Sequence, residues 1–158
     1  MYVKGIVDED FVNYKKPSMY IAMPYCSFKC EKEAGVPCCQ NGPLTMEPAF
    51  EVDAAHLVRR YLGNNITSAV VFGGLETFDS FAEILDFIKR LRDSKCDSDV
   101  VIYTGYNSGE IADKLELLKP FGNIIVKFGR YRPGQEPHKD PILGVNLASD
   151  NQYASIIS

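Results

Sequence analysis

The feature that most constrains the fold of this chain is a repeated alternation of short apolar runs with amphipathic segments. Ser68–Phe72, Asp99–Tyr103 and Asn123–Phe128 are rich in β-branched residues, and a further apolar run, Ile142–Leu147, closes the series. Each of the first two runs is followed by a segment whose apolar residues recur at a helical spacing. Strands that alternate with helices are joined by right-handed crossovers and pair in parallel. The pattern predicts an α/β fold, which we expect to be a partial (β/α) barrel with a mainly parallel sheet.

Earlier segments extend this pattern toward the N-terminus. Val3–Asp10 is hairpin-like, Met19–Met23 has the composition of a buried strand, and Phe50–Leu62 has a helical spacing that ends at a glycine. Ser80 and Glu83 have the spacing of a capping box, which marks the start of the next helix. The predicted elements therefore run through nearly the whole chain.

The composition fits a single globular domain, residues 1–158. The chain has 46% hydrophobic and 24% charged residues, and a domain of this length buries enough surface to fold without disulfides. Its net charge is −4, whereas nucleic-acid binding depends on clustered lysines and arginines. No apolar run reaches the roughly 18 residues of a membrane span, and the cationic start of a signal segment is lacking. We therefore expect a cytoplasmic protein that binds neither nucleic acid nor membrane.

The spacing of the cysteines indicates a metal site. Four of the five cysteines lie between residues 26 and 39, and Cys96 stands alone. An odd number of cysteines favours metal or redox chemistry over structural disulfides. Three thiolates would hold a [4Fe–4S] cluster with one iron open, because the vicinal Cys38 and Cys39 do not comfortably reach two irons of one cube. The spacing is also acceptable for zinc, whereas unliganded buried cysteines are disfavoured in so polar a segment.

The cysteines begin at the carboxyl end of the strand predicted at Met19–Met23. The loops at 24–43, 73–77, 104–106 and 129–131 follow the predicted strands in the same way. Ligands of parallel α/β folds bind at the carboxyl ends of the strands. These four loops are therefore predicted to form one site, with the cluster at the carboxyl edge of the sheet.

Five short motifs follow one another along the chain. They are C-S-F-K-C at 26–30, C-Q-N at 39–41, F-G-G-L-E at 72–76, Y-T-G-Y at 103–106 and A-S-D-N-Q at 148–152. In order and spacing they resemble the motifs of the anaerobic ribonucleotide reductase activating proteins, a short branch of the radical S-adenosylmethionine superfamily. The resemblance runs from about Ile6 to Gln152.

The chain departs from that family in its cysteine motif. The family has C-x3-C-x2-C, whereas Glu31–Cys38 separate Cys30 from Cys39 and look like an insertion that bulges away from the cluster. Cys39 is the better match for the third ligand because Gln40–Asn41 follows it, as a polar pair follows the family's third cysteine. Cys38 is the alternative third ligand. The family has an aromatic residue before the third cysteine, which would pack near the adenine, whereas this chain has Cys38 there.

The second departure is G-G-L-E in place of the family's G-G-E-P, which shifts the acid, Glu76, by one position. In the family this loop presents backbone carbonyls to the ammonium group of the methionine moiety. Glycines allow the backbone to approach a ligand closely and to adopt positive φ, so the loop can bind the ammonium group without the acid. Gly73 and Gly74 could also simply form the turn after a strand. Tyr103 could touch the ribose or adenine, or be a half-buried strand residue.

The resemblance implies a set of ligands but no catalytic side chain. The cluster would be ligated by Cys26, Cys30 and Cys39. S-adenosylmethionine would be contacted by residues around the cluster and at the strand ends, namely Cys39, Gln40, Gly73, Gly74, Glu76 and Tyr103.

The resemblance also implies a reaction. The open iron would chelate S-adenosylmethionine, and one electron from a reduced flavodoxin or ferredoxin would cleave it to a 5′-deoxyadenosyl radical. That radical would remove a hydrogen from a glycine of a partner glycyl-radical enzyme, above all the catalytic subunit of anaerobic ribonucleotide reductase. Two alternatives stay open: a radical enzyme that acts on a small molecule, as a deazapurine synthase does, and a non-catalytic zinc or iron–sulfur binding module.

Overall fold

The computed structural model describes residues 1–158, in which short strands and helices alternate. In chain order the elements are β1 (Tyr2–Val3), β2 (Gly5–Asp10), β3 (Ser18–Met23), α1 (Lys29–Ala34), α2 (Gly42–Met46), β4 (Phe50–Glu51), α3 (Ala54–Leu62), β5 (Ala69–Gly74), α4 (Phe81–Asp93), β6 (Asp99–Tyr103), α5 (Ala112–Leu118), β7 (Ile124–Phe128), β8 (His138–Lys139), β9 (Asn146–Leu147) and β10 (Tyr153–Ile156). The predicted strands at β3, β5, β6 and β7 are confirmed. No helix is both long enough and apolar enough to span a membrane.

The main sheet is mixed rather than mainly parallel, which corrects the sequence-based prediction. Its strand order is β10-β7-β6-β5-β3-β2, with four parallel strands at the centre and an antiparallel strand at each edge. β2 and β3 are joined by a short connection, which permits only antiparallel pairing. The segment between β7 and β10 contains no helix to carry a parallel crossover. This strand pairing establishes an α/β fold with an open strand order, and a partial barrel does not follow from it.

The N-terminal stretch does not form the predicted hairpin. β1 pairs with β4, so that Tyr2 lies opposite Glu51 and Val3 opposite Phe50, while β2 pairs with β3. Val3 is fully buried, and its packing in the main core takes β1 away from β2. The hairpin is formed by β2 and β3 instead.

Two predicted helix starts also differ from the structure. The helix predicted from Phe50 begins only at Ala54, because Asp53 caps it by accepting a hydrogen bond from the N–H of Ala55 at 3.0 Å. Ser80 precedes α4 as predicted, but its side chain makes no capping bond. Glu83 accepts instead from the N–H of Tyr2, at 3.1 Å. The predicted capping box is therefore not formed, since the Ser80 hydroxyl has no hydrogen-bond partner and Glu83 binds β1.

The two faces of the sheet are covered differently. Helices α3, α4 and α5 pack on one face, where the main core of 21 buried residues includes Phe72 and Phe87. The other face has a smaller core of eight buried residues, to which Leu143 and Leu147 contribute from the segment between β7 and β10. Because successive side chains of a strand point to opposite faces, every second residue of the central strands faces this thinner cover. The thinner side of the sheet leaves room for a cavity.

Candidate cluster and cofactor site

One cavity of about 290 Å³ opens at the carboxyl ends of the four parallel strands. Its floor is formed by Tyr20, Gly73, Tyr103 and Lys127, which lie on the sheet face away from the helices. The loops that follow the strands form its sides. The predicted convergence of these loops on one site is therefore what the structure shows.

The cavity brings together every residue that the sequence analysis assigned to the site. Its lining includes Cys26, Cys30, Cys39, Gln40, Gly73, Gly74, Glu76 and Tyr103. The alternative ligand Cys38 also lines it. Residues up to 77 positions apart in the sequence thus share one surface, and their roles as ligands stay predictions.

The cysteines occupy a segment that leaves β3 and makes two short helices. Cys26 lies just beyond β3, Cys30 lies in α1, and the vicinal pair lies between α1 and α2. All are free thiols of intermediate exposure. The N–H of Phe28 points at Cys26 Sγ at 3.2 Å, and Phe28 has a φ of 53°, which turns the chain into α1. This turn brings Cys26 and Cys30 to the same cavity.

Glu31 organises the stretch that the sequence analysis treated as an insertion. Its Oε1 accepts hydrogen bonds from the N–H groups of both Cys38 and Cys39, at 3.2 and 3.1 Å. The residues between, 32–37, are exposed. The extra residues therefore form the end of α1 and a surface turn, and one carboxylate returns the vicinal cysteines to the cavity.

The chemistry of these four side chains fits an iron–sulfur cluster. Burial raises the pKa of the Cys26 thiol, and it raises the pKa of Cys30 to about 11, with the Cys38 and Cys39 thiols adding to the second effect. Thiolates are the form that binds metal, so loading this site would release protons. No three His, Cys, Asp or Glu side chains are arranged around a single ion. Ligands of a cluster bind different irons, and four soft sulfur donors on one cavity suit that chemistry.

The glycine pair connects the cysteine segment to the sheet. Gly74 has a φ of 83°, and a Cβ there would lie 3.0 Å from Ala22 Cα and from Met23 N in the adjacent strand. The carbonyl of Gly74 accepts a hydrogen bond from Asn41 Nδ2 at 2.6 Å. A Cβ on Gly73 would lie 2.6 Å from Tyr20 Oη. The pair thus forms the turn after β5 and also presents bare backbone to the cavity.

The shifted acid, Glu76, is held by the protein itself. It is 8% exposed, and it accepts hydrogen bonds from the N–H groups of Phe78 and Gly105 and from the Thr104 hydroxyl. Burial raises the pKa of Glu76, and the three hydrogen bonds oppose that rise. The carboxylate therefore ties the loop after β5 to the loop after β6. At position 76 it reaches the neighbouring loop, which accounts for its place in the sequence.

The sequence analysis missed Lys127, a buried lysine on the cavity floor. Lys127 is only 7% exposed, and its Nζ donates a hydrogen bond to the carbonyl of Gly129 at 2.9 Å. Burial lowers the pKa of Lys127 to about 8, and the negative charge of Glu76 opposes this. A lysine inside an apolar strand is rare unless it has a partner. Lys127 lies two residues after Ile125 in β7, so the two side chains share one face of the sheet, and this spacing could have identified the lysine.

The ring of Tyr103 forms part of the cavity wall, and its hydroxyl is already engaged. Tyr103 Oη donates to the carbonyl of Asn13 at 2.6 Å. Burial raises the pKa of Tyr103 and of its neighbour Tyr20. Tyr103 is therefore a half-buried strand residue and a wall residue at the same time.

A second missed group, centred on Arg130, fastens the cysteine helix. The Arg130 guanidinium makes two hydrogen bonds to Glu110, at 2.8 and 2.6 Å, and its Nε lies 3.2 Å from Glu33 of α1. The hydrogen bonds from Arg130 lower the pKa of Glu110 to about 2. Lys29 of α1 also lies over the ring of Tyr106, 4.4 Å from its centroid. These contacts hold α1, and with it Cys30, against the loops after β6 and β7.

The A-S-D-N-Q sequence at 148–152, the C-terminal motif, supports the loop after β7. Gln152 Oε1 accepts from the N–H groups of Ala148 and Ser149, and its Nε2 donates to Gly129 O at 3.2 Å. Asn151 Nδ2 donates to Arg130 O at 2.9 Å. The side chains of this motif thus fix the backbone next to Lys127 and Arg130.

Comparison with known proteins gives one family and no individual relative. No curated protein and no solved structure matches the chain. A family described as the 4Fe-4S single cluster domain matches residues 18–152, from the start of β3 to the glutamine of the C-terminal motif. The matched region includes the four cysteines of the cavity and all four parallel strands. The iron–sulfur part of the sequence-based prediction is therefore supported, and the chain belongs to the 4Fe-4S single cluster domain family.

Proposed function

We propose that this chain is a radical S-adenosylmethionine enzyme that generates a glycyl radical on a partner protein, above all anaerobic ribonucleotide reductase. Cys26, Cys30 and Cys39, which line one cavity, would hold the [4Fe–4S] cluster and leave one iron open. One observation carries the proposal: the thiols share a single cavity with bare glycine backbone and a buried lysine. A module that only stored a cluster would have no use for such a pocket beside it.

The cavity has complementary groups for the methionine end of the cofactor. The ammonium of Lys127 suits a carboxylate, because a charge pair is stronger away from water than at an exposed surface. The backbone at Gly73 and Gly74 has no side chains to keep an amino group at a distance. When bound, the cluster and the cofactor supply one-electron chemistry, which no side chain of the chain can supply.

The residues of the chain orient and enclose this chemistry. Glu76 and Arg130 join the loops that form the cavity sides, so the pocket keeps its shape before anything binds. Tyr20 and Tyr103 stay protonated, because burial raises the pKa of both. The floor is therefore closed by neutral rings, with Lys127 as its cation.

The size of the site favours a protein substrate over a small molecule. A volume of about 290 Å³ is at the lower end of the range for small-molecule sites, and it suffices for one ligand only. Exposed apolar side chains lie on the cysteine segment, where Tyr25 is 50% and Met46 85% exposed. A docked protein would cover them and bring its own glycine to the cavity. A flavodoxin or ferredoxin in the same compartment, the cytoplasm, would supply the electron.

The cluster assignment is tested by counting iron and sulfide in serine variants. We expect Cys26→Ser, Cys30→Ser and Cys39→Ser each to abolish the cluster. Cys38→Ser should retain it, and Cys96→Ser, remote from the cavity, is the matched control. If Cys38 is required and Cys39 is dispensable, the third ligand is misassigned.

The activity is tested by electron paramagnetic resonance of a frozen mixture. The reduced, reconstituted chain is combined with S-adenosylmethionine and an anaerobic ribonucleotide reductase of the same source. A glycyl-radical doublet in the reductase is expected. Efficient turnover of a small molecule without that doublet would favour the deazapurine synthase-like alternative, and cluster binding without any cleavage of S-adenosylmethionine would favour a non-catalytic module.

A further inference from the structure

A fourth thiol lines the cavity beside the three proposed ligands. Cys38 is half-buried, as Cys26, Cys30 and Cys39 are, and it borders the same cavity. It directly precedes Cys39, so a cluster held by Cys39 lies one residue from a further sulfur. Three-thiolate ligation gives this fourth thiol no role.

The backbone of the vicinal pair is held against α1. One carboxylate oxygen of Glu31 accepts hydrogen bonds from the N–H groups of both Cys38 and Cys39. Glu31 follows Cys30 in α1, so this contact fixes the pair relative to another ligand. Cys38 therefore stays near the cluster instead of turning outward with the exposed residues 32–37.

We infer that Cys38 is a fourth, exchangeable ligand of the cluster. Its thiolate occupies the open iron when the cavity is empty, and S-adenosylmethionine displaces it, a step that rests on the proposed function. In the exchange the iron–sulfur bond to Cys38 breaks, and the iron forms bonds to the amino nitrogen and a carboxylate oxygen of the methionine moiety. The ammonium group of the methionine moiety loses one proton as its nitrogen binds the iron, the released thiolate of Cys38 takes up one proton, and no electron is transferred.

Two opposing effects make this ligand exchangeable. A thiolate is a softer donor than water, and its tether to Cys39 gives it an effective concentration on the order of millimolar. Cys38 and Cys39 are joined by a single planar peptide unit, which limits how well both sulfurs can reach irons of one cube. The ligand excludes water from the iron but yields to a chelating ligand.

The ligation is tested first without S-adenosylmethionine. The wild-type chain, Cys38→Ala and the control Cys96→Ala are reconstituted and oxidised with limited ferricyanide. The [3Fe–4S] product, which forms by loss of the fourth iron, is counted by electron paramagnetic resonance. We expect Cys38→Ala to form several-fold more of it than the other two. Equal yields in all three chains overturn the inference, as does a Cys38→Ala chain that takes up no cluster, because the ligand would then be essential.

The exchange is tested on the wild-type chain by alkylation with iodoacetamide and mass spectrometry. Cys38 should react in the cluster-free chain, be protected in the loaded chain, and react again after S-adenosylmethionine is added. Cys39 should stay protected in both loaded states. Free reaction of Cys38 in the loaded chain overturns ligation, and lasting protection after S-adenosylmethionine is bound overturns exchange.

Affinity gives a readout that a purely structural role would not move. Competition by Cys38 lowers the apparent affinity for S-adenosylmethionine in proportion to the fraction of open iron. Cys38→Ala should therefore bind it several-fold more tightly than the Cys96→Ala control, and equal or weaker binding contradicts the exchange. If the wild-type chain binds no S-adenosylmethionine, the proposed function fails, while the ferricyanide result still decides the ligation.

Discussion

Replacement of Gly74 by alanine tests whether this glycine is required by the scaffold or only by the ligand. Its φ of 83° and the 3.0 Å approach of a Cβ to Ala22 Cα and Met23 N both oppose a side chain. The left-handed conformation costs an L-residue about 1–2 kcal/mol. The contact adds about 1–3 kcal/mol, because the opposing atoms are backbone of a central strand and cannot turn aside.

These two costs are partly offset in the unfolded chain. An alanine has fewer conformations than a glycine in the unfolded chain, which raises the free energy of unfolding by about 0.4–1 kcal/mol. The net loss expected for Gly74→Ala is therefore about 1–5 kcal/mol, a large part of the stability of a typical domain. Gly109→Ala is the matched control, since a Cβ at Gly109 meets no atom within 4 Å.

The assay is urea denaturation of the cluster-free chains, followed by far-ultraviolet circular dichroism. Gly109→Ala should raise the free energy of unfolding by about 0.4–1 kcal/mol, because only the unfolded-state effect applies there. If Gly74→Ala is as stable as Gly109→Ala, the strands do not approach as closely as described, and the reasoning on this turn is refuted.

Two further predictions concern charged groups at the site. Glu110→Gln should lower the free energy of unfolding by about 1 kcal/mol near pH 6, a value reduced for the partial exposure of Glu110. Because the pKa of Glu110 is depressed to about 2, its contribution is complete above the usual 4.5 and is lost as pH falls toward 2, so urea midpoints of the two chains should converge there. Lys127→Met should weaken S-adenosylmethionine binding at least about tenfold in calorimetry, equivalent to about 1.4 kcal/mol, without loss of stability. Wild-type binding should also decline above about pH 8, as Lys127 loses its proton, and unchanged affinity in Lys127→Met would place the carboxylate elsewhere.

The central strands and the cysteine site could be predicted from sequence because local patterns specify them. Apolar, β-branched runs identify β5, β6 and β7, and chain direction then brings their carboxyl ends together. The same reasoning placed the cysteines and the glycine pair on one cavity, since each follows a parallel strand.

The edges of the sheet could not be predicted in this way. β10 pairs antiparallel with β7 after a segment with no helix, and nothing local to Tyr153–Ile156 specifies that direction. β1 pairs with β4 across the 46 residues that separate Val3 from Phe50, and the burial of Val3 in the main core favours that choice. Such pairings depend on which surfaces remain uncovered after the core has formed.

The charged groups were missed for two different reasons. Arg130 meets Glu110 and Glu33, which are distant in sequence, so their contact follows from the packing of loops and not from a motif. Lys127 could have been predicted from the sequence. It lies two residues after Ile125 in a buried strand, so both side chains point to the same face of the sheet, which is the face with the cavity. A buried lysine in such a run should be treated as a site residue from the start.

The cysteine segment contributes nothing to the interior of the protein. No residue from 25 to 51 is buried or packs against either core, and neither α1 nor α2 has a buried side chain. Zinc fingers, in contrast, need their metal to fold because the metal replaces a core. Here the sheet and its two cores do not depend on the cysteine segment, so the chain can fold first and bind its cluster afterwards. Loss of the cluster would then affect one surface segment, and a new cluster could bind to a sheet that is still folded.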